Sequence, residues 1–313
     1  MKAIGIILAG GNNNRMKELT AKRAVPALPV AGSFRAIDFS LSSMSNSHIQ
    51  TVAVLTQYNA RSLNEHLSSS KWWNFGRKQG GLFLFTPTVT ADNSDWYRGT
   101  ADAMYQNIDF LKRRHEPYVI ISSGDCVYKL DFNRVLDFHI EKKSDITVVC
   151  KDMMYNDDVS RFGVVRMDDE SRITEFDEKP IEASSNTIST GIYVIRRRQL
   201  IELLEAAAEE NRFDFVNDIL VRYKNVKKIY GYKINSYWNN IADIDAYFKT
   251  NMDFLRPDIR SYFFREEPTI CSKVDDLPPA KFNPGSDISN SLVSSAVSYT
   301  HLTCRRLVEC RSR

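Results

Sequence analysis

The chain has 313 residues, a length that suits one large domain or two. Hydrophobic residues make up 43% and charged residues 26%, and the net charge of +3 gives no electrostatic case for nucleic acid or a membrane surface as a partner. Five Cys at scattered spacings, without a C-x-x-C pair, fit reduced thiols better than disulfides or a zinc site. The sequence has no apolar run of membrane-spanning length and no recognisable signal peptide, so we expect a cytoplasmic protein.

The chain opens with a short, Ile-rich run from Ile4 to Leu8, which predicts a strand buried on both faces. Gly10 and Gly11 end this strand, and such a pair lets main-chain N–H groups approach a phosphate closely. Arg15 follows three Asn residues and offers a planar donor fork for phosphate oxygens. The loop matches neither the dinucleotide-binding fingerprint nor the P-loop, and an ordinary turn is the alternative interpretation.

The first half of the chain alternates between apolar strands and helices, which predicts an α/β fold with an open, mostly parallel sheet covered by helices. Ligands of such sheets bind beyond the carboxyl ends of the strands, where Gly10, Gly11, Gln57 and Asp125 fall. The predicted strands are 4–8, 51–56, 82–85, 118–122 and 145–150, and the predicted helices lie near 37–44, 62–67, 100–111 and 135–141.

The second half is richer in strands, predicted at 162–167, 172–176, 188–195 and 226–234, with helices at 199–210 and 213–223. Another amphipathic helix is predicted at 243–255, with Ile244, Phe248, Met252 and Leu255 as its apolar side. From Arg256 onward, proline-punctuated segments predict an extended linker. Residues 286–295 then look like the first rung of a strand repeat.

Residues 297–313 follow no pattern of helix or strand, and V-S-Y-T-H-L is also one reading-frame translation of a transposase-end adapter used in DNA library preparation. We therefore expect a main domain at 1–255, a linker with a first strand rung at 256–296, and a non-native tail at 297–313. On this hypothesis a C-terminal domain is missing. A genuine short tail is the alternative.

Three segments carry residues suited to phosphate chemistry. Asp125 follows a buried strand and is a natural Mg²⁺ ligand, since magnesium is usually held by one or two carboxylates and the substrate's phosphates; a solvated loop Asp is the alternative. Glu178 and Lys179 precede a proline at a strand end, where Lys179 could bind an anion or the two could form a surface pair. Thr100 is a plausible N-cap of a helix whose N-terminus favours phosphate.

Several short motifs between residues 3 and 295 resemble, in order and spacing, those of the bacterial ADP-glucose pyrophosphorylases (glucose-1-phosphate adenylyltransferases), within the sugar-phosphate nucleotidylyltransferase superfamily. They are L-A-G-G at 8–11, F-R-A-I-D-F at 34–39, T-Q-Y at 56–58, W-Y-R-G-T-A-D-A at 96–103, G-D-C-V-Y-K at 124–129, F-G-V at 162–164, E-K-P at 178–180, G-I-Y at 191–193, Y-W at 237–238 and P-P-A-K-F at 278–282. The resemblance implies a Rossmann-like nucleotidyltransferase domain followed by a left-handed β-helix for regulation and assembly.

The resemblance also implies a reaction, in which ATP and glucose 1-phosphate give ADP-glucose and pyrophosphate, with Mg²⁺, in glycogen synthesis. Catalysis would be mostly positioning and electrostatics. By matching position, the triphosphate would be held by Gly10, Gly11 and Arg15, the adenosine part by Gln57, Gly99 and Thr100, the metal by Asp125 and the residue at 240, and glucose 1-phosphate by Glu178, Lys179, Ser189 and Gly191.

Three departures from the family pattern stand at the implied site. Asn13 replaces a glycine of the phosphate loop, Val25 replaces a lysine tied to anion or activator binding, and Asn240 replaces the second metal-binding Asp. These losses resemble the GlgD-type second subunit, which accompanies a catalytic subunit in a hetero-oligomer, here expected to be a heterotetramer, and has little activity alone. The alternatives are a competent nucleotidylyltransferase, in which Asn240 or Asp243 still serves the metal, and a binding-only sensor of nucleotide or sugar phosphate.

Overall fold

The computed structural model describes residues 2–12, 14–76, 80–89, 95–154 and 157–274, together with short stretches at 284–285, 287, 289–293, 302–304 and 310–312. Its strands are β1 (Ala3–Ala9), β2 (Pro29–Val30), β3 (Phe34–Arg35), β4 (Thr51–Thr56), β5 (Gly81–Phe85), β6 (Tyr118–Ser123), β7 (Cys126–Tyr128), β8 (Ile146–Asp152), β9 (Gly163–Met167), β10 (Ile173–Glu178), β11 (Thr187–Arg196), β12 (Ile229–Lys233), β13 (Trp238–Asn240), β14 (Leu302–Cys304) and β15 (Cys310–Ser312).

The α-helices are α1 (Ala36–Asn46), α2 (Arg61–Leu67), α3 (Thr100–Tyr105), α4 (Ile108–Lys112), α5 (Phe132–Glu141), α6 (Arg197–Glu209), α7 (Ile244–Asp253) and α8 (Pro257–Phe264). Short 3-10 segments lie at Asn14–Thr20, Val25–Ala27 and Ser70–Trp73, and a π-helical turn at Val216–Val221. In the part of the chain that the structure describes, no helix is long and apolar enough to cross a bilayer.

A mixed sheet forms the centre of the molecule, with the strand order β10-β9-β11-β6-β1-β4-β5 and with β8 joining β11 to β12. Strands β6, β1, β4 and β5 run parallel, whereas β11 is antiparallel to β6 and β8. The predicted α/β fold is therefore confirmed. It also aligns the carboxyl ends of β1, β4 and β6 at one edge, because these three strands are neighbours in parallel register.

Strand β1 is buried on both faces, as its apolar run predicts. Ala3, Ile7 and Ala9 belong to one core cluster, while Ile4 and Ile6 belong to a second cluster. Alternate side chains of a strand point to opposite faces, so the two clusters pack against opposite sides of the sheet. The central strand is thus held from both sides, which fixes the position of the loop that follows it.

The predicted extended linker after Arg256 is wrong for its first part, because residues 257–264 form α8. Pro257 is compatible with the first turn of a helix, and it begins α8 rather than preventing it. Phe263 is fully buried, with its ring 5.4 Å from the ring of Phe39 and 5.3 Å from that of Phe254. The segment therefore packs against α1 in a third core cluster.

The predicted apolar side of the helix at 243–255 is also wrong. Ile244, Phe248 and Met252 are 37%, 64% and 46% exposed, while the buried side of α7 carries Ala246 and Thr250. The helix lies over the small strand β13, where Asn239 donates a hydrogen bond to the hydroxyl of Thr250. Small side chains allow this close approach, and the large apolar residues are turned outward.

Candidate active site

Two cavities open at the edge of the sheet where β1, β4 and β6 end. The first has a volume of about 490 Å³ and the second about 380 Å³. Ser123 and Asp125 line both of them, so the two cavities meet at the end of β6. The predicted site residues are divided between them: the first cavity takes Gly10, Gly11, Gln57, Gly99 and Thr100, the second takes Arg15, Glu178, Lys179, Ser189, Gly191 and Asn240, and Asp125 belongs to both.

The glycine pair after β1 forms part of the wall of the first cavity. A Cβ at Gly10 would lie 3.2 Å from the Cβ of Gln57, so this position is crowded. A Cβ at Gly11 would meet nothing within 4 Å, so the main chain of Gly11 borders open space. The arrangement leaves room for a bulky group beside the main chain. Asn13, two residues after Gly11, lies outside the described residues.

Gln57 connects the two loops that flank the first cavity. Its carboxamide oxygen accepts a hydrogen bond of 2.7 Å from the main-chain N–H of Tyr97, and its amide nitrogen donates to the carbonyl of the same residue at 3.3 Å. The ring of Tyr58 stacks on that of Trp96 with 5.7 Å between the centroids. Gln57 therefore holds the loop of Tyr97 in place, and both ends of its amide are already engaged.

The start of α3 differs from the sequence prediction. The N-cap is Gly99, not Thr100, and the carbonyl of Phe213 accepts hydrogen bonds from the N–H groups of Ala101 and Asp102. A Cβ at Gly99 would lie 2.3 Å from that carbonyl oxygen, so only glycine allows this approach. The Thr100 hydroxyl accepts from the N–H of Phe215 at 2.8 Å. These N–H groups of α3 are thus used by the protein itself rather than directed at a phosphate.

Glu178 and Lys179 lie together at the end of β10, in the wall of the second cavity. The ammonium of Lys179 is 3.1 Å from the carboxylate of Glu178, which is only 17% exposed. Lys179 has a φ of 51°, in the left-handed region, and its N–H donates to the carbonyl of Phe162. Its main chain is therefore fixed by the strand end, while its side chain is 61% exposed and can move toward a ligand.

Ser189 and Gly191 belong to β11, in the strand that the sequence predicts at 188–195. The pairing of β11 with β8 shifts register between Ser189 and Tyr193, and Gly191 has a φ of 74°. Between these pairs β11 advances four residues while β8 advances two, and a bulge-like irregularity of this kind re-aims the side chains beside it. The hydroxyl of Ser189 donates to the phenol oxygen of Tyr193 at 3.3 Å, and a Cβ at Gly191 would lie 3.5 Å from that of Ser123.

Asp125 and Asn240 are neighbours, because β13 pairs with β7. Asn240 lies opposite Cys126, and the N–H of Ile241 donates to the carbonyl of Asp125 at 3.0 Å. The Asp125 carboxylate oxygen Oδ1 accepts from the hydroxyl of Ser123 at 2.5 Å and from the thiol of Cys126 at 3.5 Å. Burial raises the pKa of the Cys126 thiol well above its usual value, so it carries a proton to donate.

Arg161 is a residue of the second cavity that the sequence interpretation missed. It lines the second cavity, pairs with the carboxylate of Asp243 and lies over the ring of Phe162 at 4.9 Å. Burial is the main cause that lowers the pKa of its guanidinium, and the charge of Arg15 lowers it further. Its position directly before the F-G-V motif at a strand start is a signal that could have identified it.

The pair formed by Asp125 and Asn240 fits a magnesium ion only in part. One carboxylate and one amide oxygen are suitable oxygen donors, and magnesium commonly takes one or two carboxylates together with substrate phosphates. Within the described ranges, no group of three or more His, Cys, Asp or Glu could hold a metal by itself. The donor set therefore suits a cation that arrives with a phosphorylated ligand.

A model of the nucleotidyl transferase family matches residues 4–256, the part of the chain that forms the central sheet and both cavities. Similar proteins include three that are named glucose-1-phosphate adenylyltransferase. The one from Clostridium novyi is 38% identical over 93% of this chain and 76% of its own length, and the one from Clostridium acetobutylicum is 39% identical over 93% and 77%. The Thermotoga maritima protein is 37% identical over 93% and 70%. The chain belongs to the glucose-1-phosphate adenylyltransferase family of nucleotidyl transferases.

Proposed function

We propose that this chain is a subunit of glucose-1-phosphate adenylyltransferase that binds ATP and glucose 1-phosphate, or ADP-glucose, but catalyses their reaction weakly by itself. The activity would be the transfer of the adenylyl group of ATP to glucose 1-phosphate, releasing pyrophosphate, in glycogen synthesis. The main support is that two cavities of different character meet at Asp125. Such a meeting point suits a reaction that joins two phosphorylated substrates.

The first cavity would take the ATP. Its wall includes the open main chain of Gly11 and the aromatic residues Tyr58 and Tyr97, which suit phosphate and base respectively. Gln57 and Gly99 would act by shaping this wall, because Gln57 fixes the loop of Tyr97 and Gly99 allows the approach of Phe213. In this role they contribute to ATP binding through position rather than through free donor groups.

The second cavity would take glucose 1-phosphate. Lys179 would bind its phosphate as a point charge, while Glu178, Ser189 and the bulge at Gly191 would hold the sugar. Arg15 lies at the same cavity and would bind phosphate oxygens from the side of the glycine loop. A sugar phosphate held here would have its phosphate directed toward Asp125, where the first cavity begins.

A divalent ion, Mg²⁺ in the family, would be held by Asp125 and Asn240 and would neutralise charge on the reacting phosphates. Asn240 supplies no negative charge, so only Asp125 contributes a carboxylate. Val25 is buried in the wall of the first cavity, where the family pattern has a cation. These two differences support weak catalysis and a regulatory role beside a catalytic partner in a hetero-oligomer, as in the GlgD type.

In the alternative of a competent enzyme, Asn240 or Asp243 serves the metal, and only Asp243 would bring a second carboxylate to it. Its carboxylate caps α7 by accepting from the N–H of Ala246 at 2.7 Å, and it also pairs with Arg161. Both contacts would be lost if Asp243 turned to a metal. This cost favours the weakened subunit over the competent enzyme.

Initial rates of ADP-glucose formation test the proposal. The chain is assayed alone, with an active catalytic subunit, and with a catalytic subunit whose own metal-binding carboxylates are replaced. We expect little activity alone, a rate or effector response raised by the active partner, and little activity with the inactivated partner. Full turnover with the inactivated partner would establish the competent enzyme. Binding of ATP with no effect on any partner would establish a sensor.

A further inference from the structure

The side chains of Asp125 and Asn240 are connected by a buried thiol. Cys126 is 1% exposed and lies between them, directly opposite Asn240 in the β7–β13 pair. Its sulfur accepts a hydrogen bond from the Asn240 amide nitrogen at 3.4 Å, and its S–H donates to Oδ1 of Asp125 at 3.5 Å. A thiol can do both, because it is a weak donor and a weak acceptor.

The orientation of the Asn240 amide is fixed by a second contact. Its oxygen accepts a hydrogen bond of 3.0 Å from the main-chain N–H of Ala242. A flipped amide would place two donors against each other there, so the nitrogen must face Cys126. Asn240 therefore directs an N–H toward the thiol, while its oxygen uses one lone pair for the N–H of Ala242 and keeps the other for a cation.

The same chain of hydrogen bonds occupies one oxygen of Asp125. Oδ1 accepts hydrogen bonds from both the Ser123 hydroxyl and the Cys126 thiol. An ionised carboxylate offers about two lone-pair sites on each oxygen, so two donors fill those of Oδ1. Oδ2 is then the oxygen with capacity for a cation.

We propose that Cys126 is a positioning residue that couples Asn240 to Asp125 and limits the divalent-cation site to one carboxylate oxygen. This deepens the proposed function, on which it rests: weak catalysis would come from the linked arrangement of Asn240, Cys126, Asp125 and Ser123, not from the lost charge at 240 alone. Replacing Asn240 by Asp while the thiol remains would then recover only part of the cation affinity.

Infrared spectroscopy tests the bridge without metal or activity. The S–H stretching band of Cys126 is assigned as the band lost in Cys126→Ser. We expect it at the lower frequency of a hydrogen-bonded thiol, and we expect it to move to higher frequency in Asp125→Ala. A band at the frequency of an unbonded thiol, or one that Asp125→Ala does not move, would overturn the bridge.

Titration with Mn²⁺ alone, followed by the electron paramagnetic resonance signal of the free ion, tests the positioning role. Cys126→Ala should raise Mn²⁺ affinity by about threefold to tenfold, the equivalent of one hydrogen bond, while Cys126→Ser, which keeps donor and acceptor, should match the unmodified protein. The gain in Mn²⁺ affinity from Asn240→Asp should be larger in the Cys126→Ala background than in the unmodified protein, because the effects of substitutions at contacting residues are not additive.

Circular dichroism and urea unfolding confirm that each variant is folded. Independent gains from Cys126→Ala and Asn240→Asp, or equal behaviour of Cys126→Ala and Cys126→Ser, would overturn the positioning role. If no variant binds Mn²⁺, including Asn240→Asp, then the metal assignment of the proposed function fails together with the positioning role. The infrared result stays separate, because it reports the hydrogen bond and not the cation.

Discussion

The two cavities share Asp125 but are built in different ways. The first is shaped by main chain, with glycines at close approaches and with Gln57 and Thr100 already bonded to the protein. The second is shaped by charge, because Arg15, Arg161, Glu178 and Lys179 line it in addition to the shared Asp125. The difference teaches that substitutions in the first cavity act through shape and those in the second through charge.

The largest effect on the rate is expected from a change of charge at residue 240, beside Asp125, where the two cavities meet. Asn240→Asp adds a carboxylate to the metal-binding pair, and a single preorganised stabiliser of a transition state is commonly worth about 10²–10³ in rate. We expect the rate of ADP-glucose formation to rise by about 10²-fold. The gain should be smaller to the extent that the hydrogen bonds of Cys126 limit cation binding at Asp125. Initial rates at saturating ATP and Mg²⁺ measure this effect.

Asn239→Asp is the matched control, because it makes the same change one residue away, where the side chain bonds to Thr250 outside both cavities. It should leave the rate unchanged. Asn13→Gly, at a position outside the described residues, should do little alone and add to Asn240→Asp. If the unmodified chain already turns over like its relatives without a partner, the regulatory role is wrong.

Much of the first cavity could be predicted from sequence, whereas the contacts inside it could not. Gly10, Gly11, Gln57 and Asp125 follow strands that end at one sheet edge, and parallel register brings such positions together. The use of α3 N–H groups by Phe213 depends on a residue more than a hundred positions later in the chain. No local pattern reports such a contact.

The residues of the second cavity were predicted more from the resemblance to a known family than from the local sequence pattern. Ser189 and Gly191 lie within a strand whose bulge has no sequence signature beyond one glycine, and Arg161 lies in a turn before β9. The error at α8 has a related cause. Proline and charged residues around Pro257 suggested a linker, while the burial of Phe263 against α1 decides for a helix. Tertiary packing thus overrides a local signal.

A buried histidine makes the stability of the fold depend on pH, and so limits the pH range in which the folded protein, with both cavities, can be studied. His139 is 1% exposed, and burial, followed by the charge of Arg196, lowers its pKa to about 4. Its Nδ1 is 2.8 Å from the Thr147 hydroxyl, while Nε2 lacks a hydrogen-bond partner among the described residues. A proton on this ring would therefore be poorly stabilised in the folded protein.

The folded state resists this proton while the unfolded state accepts it near pH 6.5, so stability is complete above pH 6.5 and falls as the pH decreases toward 4. The loss in the free energy of unfolding approaches about 3 kcal/mol, because each tenfold change in proton affinity is worth about 1.4 kcal/mol. Urea unfolding between pH 7.5 and about 4 measures it. His139→Gln should flatten this dependence, and the exposed His115→Gln should not; equal slopes in all three proteins would contradict the prediction.

The charge of the second cavity is tested at Lys179. Lys179→Ala should weaken glucose 1-phosphate binding by roughly 1.5–3 kcal/mol, the worth of a hydrogen bond to a charged group, and should hardly change ATP binding. Calorimetric titration with each ligand measures both values. Lys249→Ala removes an equal charge from an exposed position on α7 and is the control. Unchanged glucose 1-phosphate affinity, or an equal loss for ATP, would remove Lys179 from the sugar-phosphate site.

The shape of the first cavity is tested by two alanine substitutions of the same size. Gly99→Ala places a methyl group 2.3 Å from the Phe213 carbonyl oxygen, which is main chain and cannot rotate away, so we expect a loss of about 1–3 kcal/mol in the free energy of unfolding. Gly11→Ala meets nothing within 4 Å and should keep stability within about 0.5 kcal/mol. Its methyl group would nevertheless stand where the ATP phosphates approach the main chain, so ATP affinity should fall while glucose 1-phosphate affinity does not. Urea unfolding and calorimetric titration of both variants separate the two effects. Loss of stability in Gly11→Ala, or unchanged ATP affinity in that variant, would mean that the glycine pair serves the turn and not the nucleotide.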